Sequence, residues 1–369
     1  MCTGGGGCLT YHGGAVQYNP HVYLLLWGPA WSSVPSETAT AGKMEGLLNG
    51  LGMQPEDAWS RVLSGYTNSS SMEFPSFLSP VYMGAWNDTS TPPYNATQAE
   101  IAAEADAFAS AHGISDRPDA QVVVATQSGT CPQNFFGCWP GAIYPYCVQH
   151  STSTVPYINL PYIFDTTGDD NSCDPTSFEP NGMYDGLTML LGAEYADTVL
   201  DPYPPTGWMD TGASYPLTNS EVADECPYFG RDSNVQLWNG LYALPDLMAN
   251  DATTTCVASP VAPDQVSVSN PGTQKTVPGS SVSIQVNGSS SGGNQLDWHA
   301  SDLPPGVTYV DSPTQMRIYG TPAAGTYPVT VGAEDSTGGV ATAWFLWTVA
   351  PKICPPRVCG GTPGGASPG

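Results

Sequence analysis

Glu194, Asp197 and Asp201 stand at i, i+3 and i+7 of the run Leu191-Gly192-Ala193-Glu194-Tyr195-Ala196-Asp197-Thr198-Val199-Leu200-Asp201. At helical pitch this spacing puts three carboxylates near one face. Carboxylates held that close repel unless a cation, a proton or a base lies among them. Downstream, Glu221-Val222-Ala223-Asp224-Glu225-Cys226 forms a second acidic cluster, with Asp210 ahead of it. Oxygen-rich clusters without histidine suit calcium better than zinc. A solvated helix face followed by an acidic loop would show the same spacing, so spacing alone leaves both open. His150 is the histidine that would add an imidazole to the set, but nothing in the sequence places it beside Glu194.

Other chemistries find fewer residues. Asp210-Thr211-Gly212 carries the tripeptide of aspartic proteases, which need two aspartates sharing a proton. The nearest repeat, Asp165-Thr166-Thr167-Gly168, has one residue too many. There is no P-loop and no dinucleotide fingerprint.

Two kinds of element must position these residues. Residues 22–27 and 122–125 are continuous apolar runs of strand length, suited to a sheet covered on both faces. Residues 97–112 have the helical pattern, with Ile101, Ala102, Ala105, Phe108 and Ala109 on one side and Gly113 as the stop. The pattern predicts a second helix over 183–200, ending before Pro202. Composition shifts after Cys256, and residues 257–264 read as a linker containing Ala258-Ser259-Pro260-Val261-Ala262-Pro263. From 265 to 350 the pattern alternates at period two between turn clusters, predicting a sandwich of about seven short strands. Residues 351–369 form a Pro/Gly-rich tail. The fold class is therefore mixed α/β over residues 1–256, followed by an all-β Ig-like sandwich.

Charge narrows the partners. With 33 Asp+Glu against 8 Lys+Arg the net charge is −25. A phosphate backbone needs clustered cations, so nucleic acid is excluded as a partner, and anionic membrane surfaces are disfavoured. No apolar run approaches the ~20 residues of a membrane span. Ten cysteines without any Cys-x-x-Cys, among 41 Gly and 36 Pro, read as disulfides. Cys226 with Cys256, and Cys354 with Cys359, could pair by position. The first residues show neither the basic stretch nor the apolar core of a secretion signal. The expectation is a mature or truncated form of a secreted, extracellular protein.

Two resemblances add to this. Asn270-Pro271-Gly272, Leu303-Pro304-Pro305-Gly306-Val307, Ile318-Tyr319-Gly320-Thr321-Pro322 and Asp335-Ser336-Thr337-Gly338 resemble the Ig-like (cadherin-like) modules of secreted bacterial proteins. That resemblance implies an accessory spacer or attachment module over 265–350, and no chemistry. Over 9–256, Leu9-Thr10-Tyr11-His12-Gly13-Gly14, Val123-Val124-Ala125-Thr126-Gln127-Ser128-Gly129-Thr130, Cys147-Val148-Gln149-His150-Ser151 and Gly207-Trp208-Met209-Asp210 follow in order with the 191–201 and 221–226 segments. Together they resemble a secreted bacterial and fungal metallopeptidase-like family distantly related to the plant EXORDIUM (phosphate-induced) proteins. The family pattern at the helix is His-Glu-x-x-Glu, similar to the metal helix of zinc peptidases. Here Ala193 stands at the histidine position and Asp197 at the second acidic one.

The resemblance implies Glu194 as the catalytic general base, with Asp197, Asp201, Glu221, Asp224 and His150 as candidate metal ligands and zinc or calcium as the cation. Ala193 makes the metal helix degenerate. Two functional classes follow: a metal-dependent hydrolase, most naturally a peptidase, or a non-catalytic extracellular binding or cell-wall-associated protein. An extracellular protein or polysaccharide is the expected partner. The linker makes a direct prediction. A fragment covering 265–350 should give a cooperative unfolding transition by circular dichroism, and limited proteolysis of the whole chain should cut within 258–263 or after Lys352.

Overall fold

The computed structural model describes residues 9–52, 57–67, 73–115, 117–136, 138, 146–165, 173, 182–212, 220–226, 232–250, 255–260, 263–277 and 279–350. The expected Cys354–Cys359 pair and the 351–369 tail lie outside them. The chain divides into two compact units. One holds the chain up to Gln265 together with Glu334–Gly339, and the other holds Val266–Ala333 and the chain from Val340 onward.

The first unit begins with a short strand β1 (Thr10–Tyr11) and the apolar strand β2 (His21–Trp27). A four-residue helix α1 (Ala30–Ser33) and a long helix α2 (Pro35–Gly50) lead to β3 (Tyr82–Asp88). Helix α3 (Gln98–Ala111) precedes β4 (Ala120–Thr126), β5 (Gln149–Thr152) and β6 (Pro156–Leu160). After helix α4 (Asp185–Leu200) come β7 (Trp208–Met209), β8 (Asp232–Leu237), β9 (Gly240–Pro245), β10 (Leu247–Met248) and β11 (Cys256–Val257). The main sheet has the order β3-β2-β4-β6-β5. All its neighbours run parallel except β5, which pairs antiparallel with β6 at one edge.

The apolar runs of β2 and β4 are explained by what covers them. Leu24, Leu26, Val123, Ala125, Ile158 and Leu160 pack in the large core with Met44, Leu47 and Leu48 of α2 and Leu191 and Val199 of α4. The alternate residues Leu25, Trp27, Val122, Val124 and Tyr157 pack with Ile101, Ala105, Phe108 and Ala109 of α3. Side chains alternate across a strand, so covering both faces demands an unbroken apolar run. Helix α3 starts on a capping box, in which the Thr97 hydroxyl accepts from the Glu100 amide and the Glu100 carboxylate accepts from the Thr97 amide. Gly113 follows it at φ +64°. Helix α4 is different in kind: every residue of it except Glu194 is buried. Gly192 lets it approach β9, since a Cβ there would sit 2.6 Å from a Leu244 methyl.

The second unit forms two four-stranded sheets. One has the order β12 (Val266–Val268), β14 (Val282–Ser290), β17 (Gln315–Gly320), β16 (Val307–Ser312). The other runs β13 (Gln274–Thr276), β19 (Val340–Val349), β18 (Gly325–Asp335), β15 (Leu296–Ser301). Eight strands stand where about seven were expected, because the segment 266–276 serves both sheets. It leaves the first at Asn270, whose side chain accepts from the Gly272 amide in a tight turn, and then runs parallel to β19. Val286, Trp298, Ile318, Val331, Phe345 and Trp347 fill the space between the sheets. No helix among the described residues is long and apolar enough to cross a membrane.

Three disulfides among the described residues join Cys131 to Cys138, Cys147 to Cys173 and Cys226 to Cys256. The last is the pair expected to staple the end of the first unit. It closes a loop of 30 residues, and such a loop is worth ~3–4 kcal/mol against unfolding. Calorimetry should therefore show Cys226→Ser/Cys256→Ser melting several degrees below the parent, with ~2–4 °C lost per kcal/mol.

Candidate metal centre

Three elements of the first unit bring acidic groups and one imidazole together. Strand β5 supplies His150, its second residue, opposite Ile158 of β6 on the face that α4 covers. Helix α4 supplies Glu194, Asp197 and, at its C-terminal cap, Asp201. The turn 221–226 supplies Glu221 and Asp224. That turn is closed by bonds from Glu225 N to Glu221 O and from Cys226 N to Ala223 O. It is tied down by Met248 N donating to Val222 O and by the Cys226–Cys256 disulfide.

His150 makes two bonds to one carboxylate oxygen. Its backbone N–H and its Nδ1 lie 2.8 and 2.9 Å from Glu194 Oε2. Its Nε2 lies 3.4 Å from Glu221 Oε1 and, though buried, has no hydrogen-bond partner. Asp197 Oδ1 accepts the Ala223 amide at 2.9 Å, locking the helix to the acidic turn. Asp197, Glu221 and Asp224 each offer a carboxylate oxygen within 4.8 Å of the other two. Asp197 is 2% exposed and Glu221 9%.

Asp201 does a different job from the ligand role expected of it. Its carboxylate accepts the Thr206 and Gly207 amides and folds the loop after α4 back on the helix end. Gly207 is required there, since a Cβ would fall 2.1 Å from Leu200 O. Asp201 lies outside the three-carboxylate group and borders it through Glu221.

Burial sets the electrostatics. Desolvation raises Asp197 well above its ordinary value, and the neighbouring Asp224, Glu221 and Glu194 push it further. Glu221 is pushed up to about 7, mainly by burial, against the opposing pull of His150. Burial works to lower His150, but Glu221 and Glu194 together outweigh it and hold the imidazole well above its usual range. The donor set suits a divalent cation: two buried carboxylates, Asp197 and Glu221, with the half-buried Asp224 beside them.

The sequence-predicted residues thus separate into those that meet and those that do not. Glu194, His150 and Glu221 form a chain, and Asp197, Glu221 and Asp224 form a group. Ala193, at the expected histidine position, is buried in the main core. Asp210 of the Asp-Thr-Gly tripeptide accepts the Gly212 amide in a local turn. His12 is bonded to Thr10. Sequence reasoning missed the Ala223 amide and the Gly207 cradle, although Gly207 stands in the Gly-Trp-x-Asp run.

Residues 265–350 match the family described as "Putative Ig domain". No curated protein matches the chain. Similar solved structures include a chimeric titin Z1Z2, 15% identical over 24% of this chain and 97% of that one, with a TM-score of 0.20. The sialic acid binding region of a Streptococcus sanguinis SK1 adhesin is 15% identical over 25% of this chain and 31% of its own, with a TM-score of 0.23. Titin M4 is 10% identical over 24% of this chain and all of its own, with a TM-score of 0.20. The chain thus spans under a third of the adhesin region's length. The second unit is an Ig-like sandwich, on the family match and the two facing sheets. That module and the three disulfides fit an extracellular protein.

The raised acids give the cation-free protein a definite pH response. A carboxyl group whose folded pKa exceeds its unfolded one stabilises fully below the unfolded value, and that contribution is lost as pH rises through the folded one. For Glu221 the window runs from about 4.5 to about 7. His150, also raised, adds a loss of the same sign at higher pH. In EDTA, stability should fall by on the order of 1–3 kcal/mol from pH 5 to pH 8. Denaturant melts of Glu221→Gln should show a flatter profile.

Proposed function

We propose that the protein is secreted and that its first unit is an α/β cation-binding domain, with the Ig-like unit as an accessory spacer or attachment module. One observation carries this reading: Asp197, Glu221 and Asp224 converge within 4.8 Å, the first two buried and the third half-buried. Three carboxylates held this close repel one another, and a divalent cation relieves the repulsion while replacing the hydration the buried pair has lost. When bound, the cation would be held by these three groups and would polarise or organise whatever lies against it.

The geometry favours a binding role over hydrolysis. Glu194, expected to activate a water, has Oε2 occupied by the amide and the ring of His150. The non-catalytic reading, an extracellular or cell-wall-associated protein that meets a protein or polysaccharide, therefore stands first. Hydrolysis stands second, supported by Glu194 lying one helical turn from Asp197, so that a carboxylate flanks the cation group.

Thermal unfolding of the oxidised, EDTA-stripped protein tests the cation site. A divalent cation at a hundredfold excess over Kd should raise Tm by ~5–10 °C. Asp197→Asn and Asp224→Asn should lose that response while keeping a cooperative melt. A parent that melts identically with calcium, manganese, zinc and EDTA would overturn the proposal.

A further inference from the structure

We propose that the first unit holds a second ligand site, for a neutral, hydroxyl-rich ligand such as a sugar ring of a polysaccharide. It lies where Thr126, Asn159 and Asn95 leave buried oxygens unpaired, next to the exposed Tyr94. The inference goes beyond the cation-binding reading, because this group lies on the α3 side of the main sheet and the acidic group on the α4 side.

Topology selects the place. In the order β3-β2-β4 the chain steps from β2 to β3 on one side, then crosses through α3 to β4 on the other. Helix α2 covers one face of the sheet and α3 the opposite one, so the winding reverses between β2 and β4. Ligands of open α/β sheets sit outside the carboxyl ends of the strands at such a reversal. Trp27 and Thr126, paired in register, are the last residues of those two strands.

The side chains there are polar without being fully paired. Thr126 shares the α3 face with Val122 and Val124, and Asn159, opposite Val124, shares it with Tyr157. Thr126 is 0% exposed and Asn159 2%, yet Thr126 Oγ1 and Asn159 Oδ1 have no hydrogen-bond partner. The other end of the Asn159 amide is used, its Nδ2 donating to the Tyr146 hydroxyl. Asn95 Oδ1 is a third buried oxygen without a partner. Asn95 leads into α3, and its backbone amide donates to Thr130 O, four residues past Thr126. Each unmet buried oxygen costs stability, and a ligand that brings hydrogen-bond donors removes that cost.

The chemistry of the three names the ligand class. Two amide oxygens accept, a hydroxyl accepts or donates, and none carries charge. That set matches the hydroxyls of a sugar and offers no counter-charge to an ion. Asn95 is half-buried, so the group reaches the surface there. Tyr94, the residue before it, is 71% exposed and offers an apolar ring with a polar tip, on which a sugar ring can stack.

Titration of the full-length, oxidised protein with glucose, galactose, mannose and N-acetylglucosamine, followed by saturation-transfer NMR in EDTA and in calcium, tests the site. At least one sugar should bind, with the same affinity in both conditions. Tyr94→Ala should weaken binding several-fold without lowering Tm, since that ring is exposed. Thr126→Val should weaken it by about tenfold and, without sugar, should melt ~2–6 °C above the parent, because a methyl of equal size replaces an unpaired hydroxyl. Thr126→Val melting below the parent would mean that a resident water already satisfies the hydroxyl, and would overturn the proposal. Binding seen only with calcium would move the sugar to the acidic group and also overturn it. So would a parent that binds none of the four, and either result leaves the cation site to its own test.

Discussion

The first unit is organised around like charges placed where water cannot screen them. Asp197 lies on a helix buried on all sides, and Glu221 and Asp224 are folded down onto it. In a low-dielectric interior such a group is stable only with counter-charge, shared protons or strong donors. The structure supplies two of these remedies in place. The Ala223 amide bonds Asp197, and His150 stands between Glu194 and Glu221. These contacts connect a sheet edge, a central helix and a loop far downstream, so the arrangement of each depends on the others.

The surrounding architecture makes the placement rigid. Helix α4 cannot rotate to release its acids, because Leu191, Val199 and Leu200 are packed into the main core and Gly192 seats it against β9. Nor can the acidic turn swing away, since β10 holds its backbone and a disulfide holds its last residue. What remains adjustable is small, the side-chain torsions of Glu221 and Asp224.

Much of this frame was legible in the sequence, for identifiable reasons. Strands β2 and β4 showed as unbroken apolar runs because helices cover both their faces. Helices α3 and α4 showed through their residue pattern, Gly113 and Pro202. Helix α2 did not, because Thr38, Thr40, Gly42 and Gly46 weaken its local preference, and tertiary packing of Met44, Leu47 and Leu48 overrides them. The candidate residues were all visible as chemistry. Their meeting was not: His150 and Glu194 are 44 residues apart, and the contact follows from β5 turning antiparallel at the sheet edge over α4. The roles also shifted. Asp201 looked like a third member of one acidic stripe, yet at i+7 it falls on the helix end, where unpaired loop amides claim it.

The Cys226–Cys256 bridge carries a further thermodynamic implication. Its first cysteine ends the turn that holds Glu221 and Asp224, so occupancy of the acidic group and the oxidation state of that bridge are not independent variables. By reciprocity, if the bridge favours binding at the carboxylates, then whatever binds them makes the disulfide harder to reduce by the same free energy. The chain would then bind more weakly once that bridge is reduced, with the coupling measurable as a shift in reduction potential.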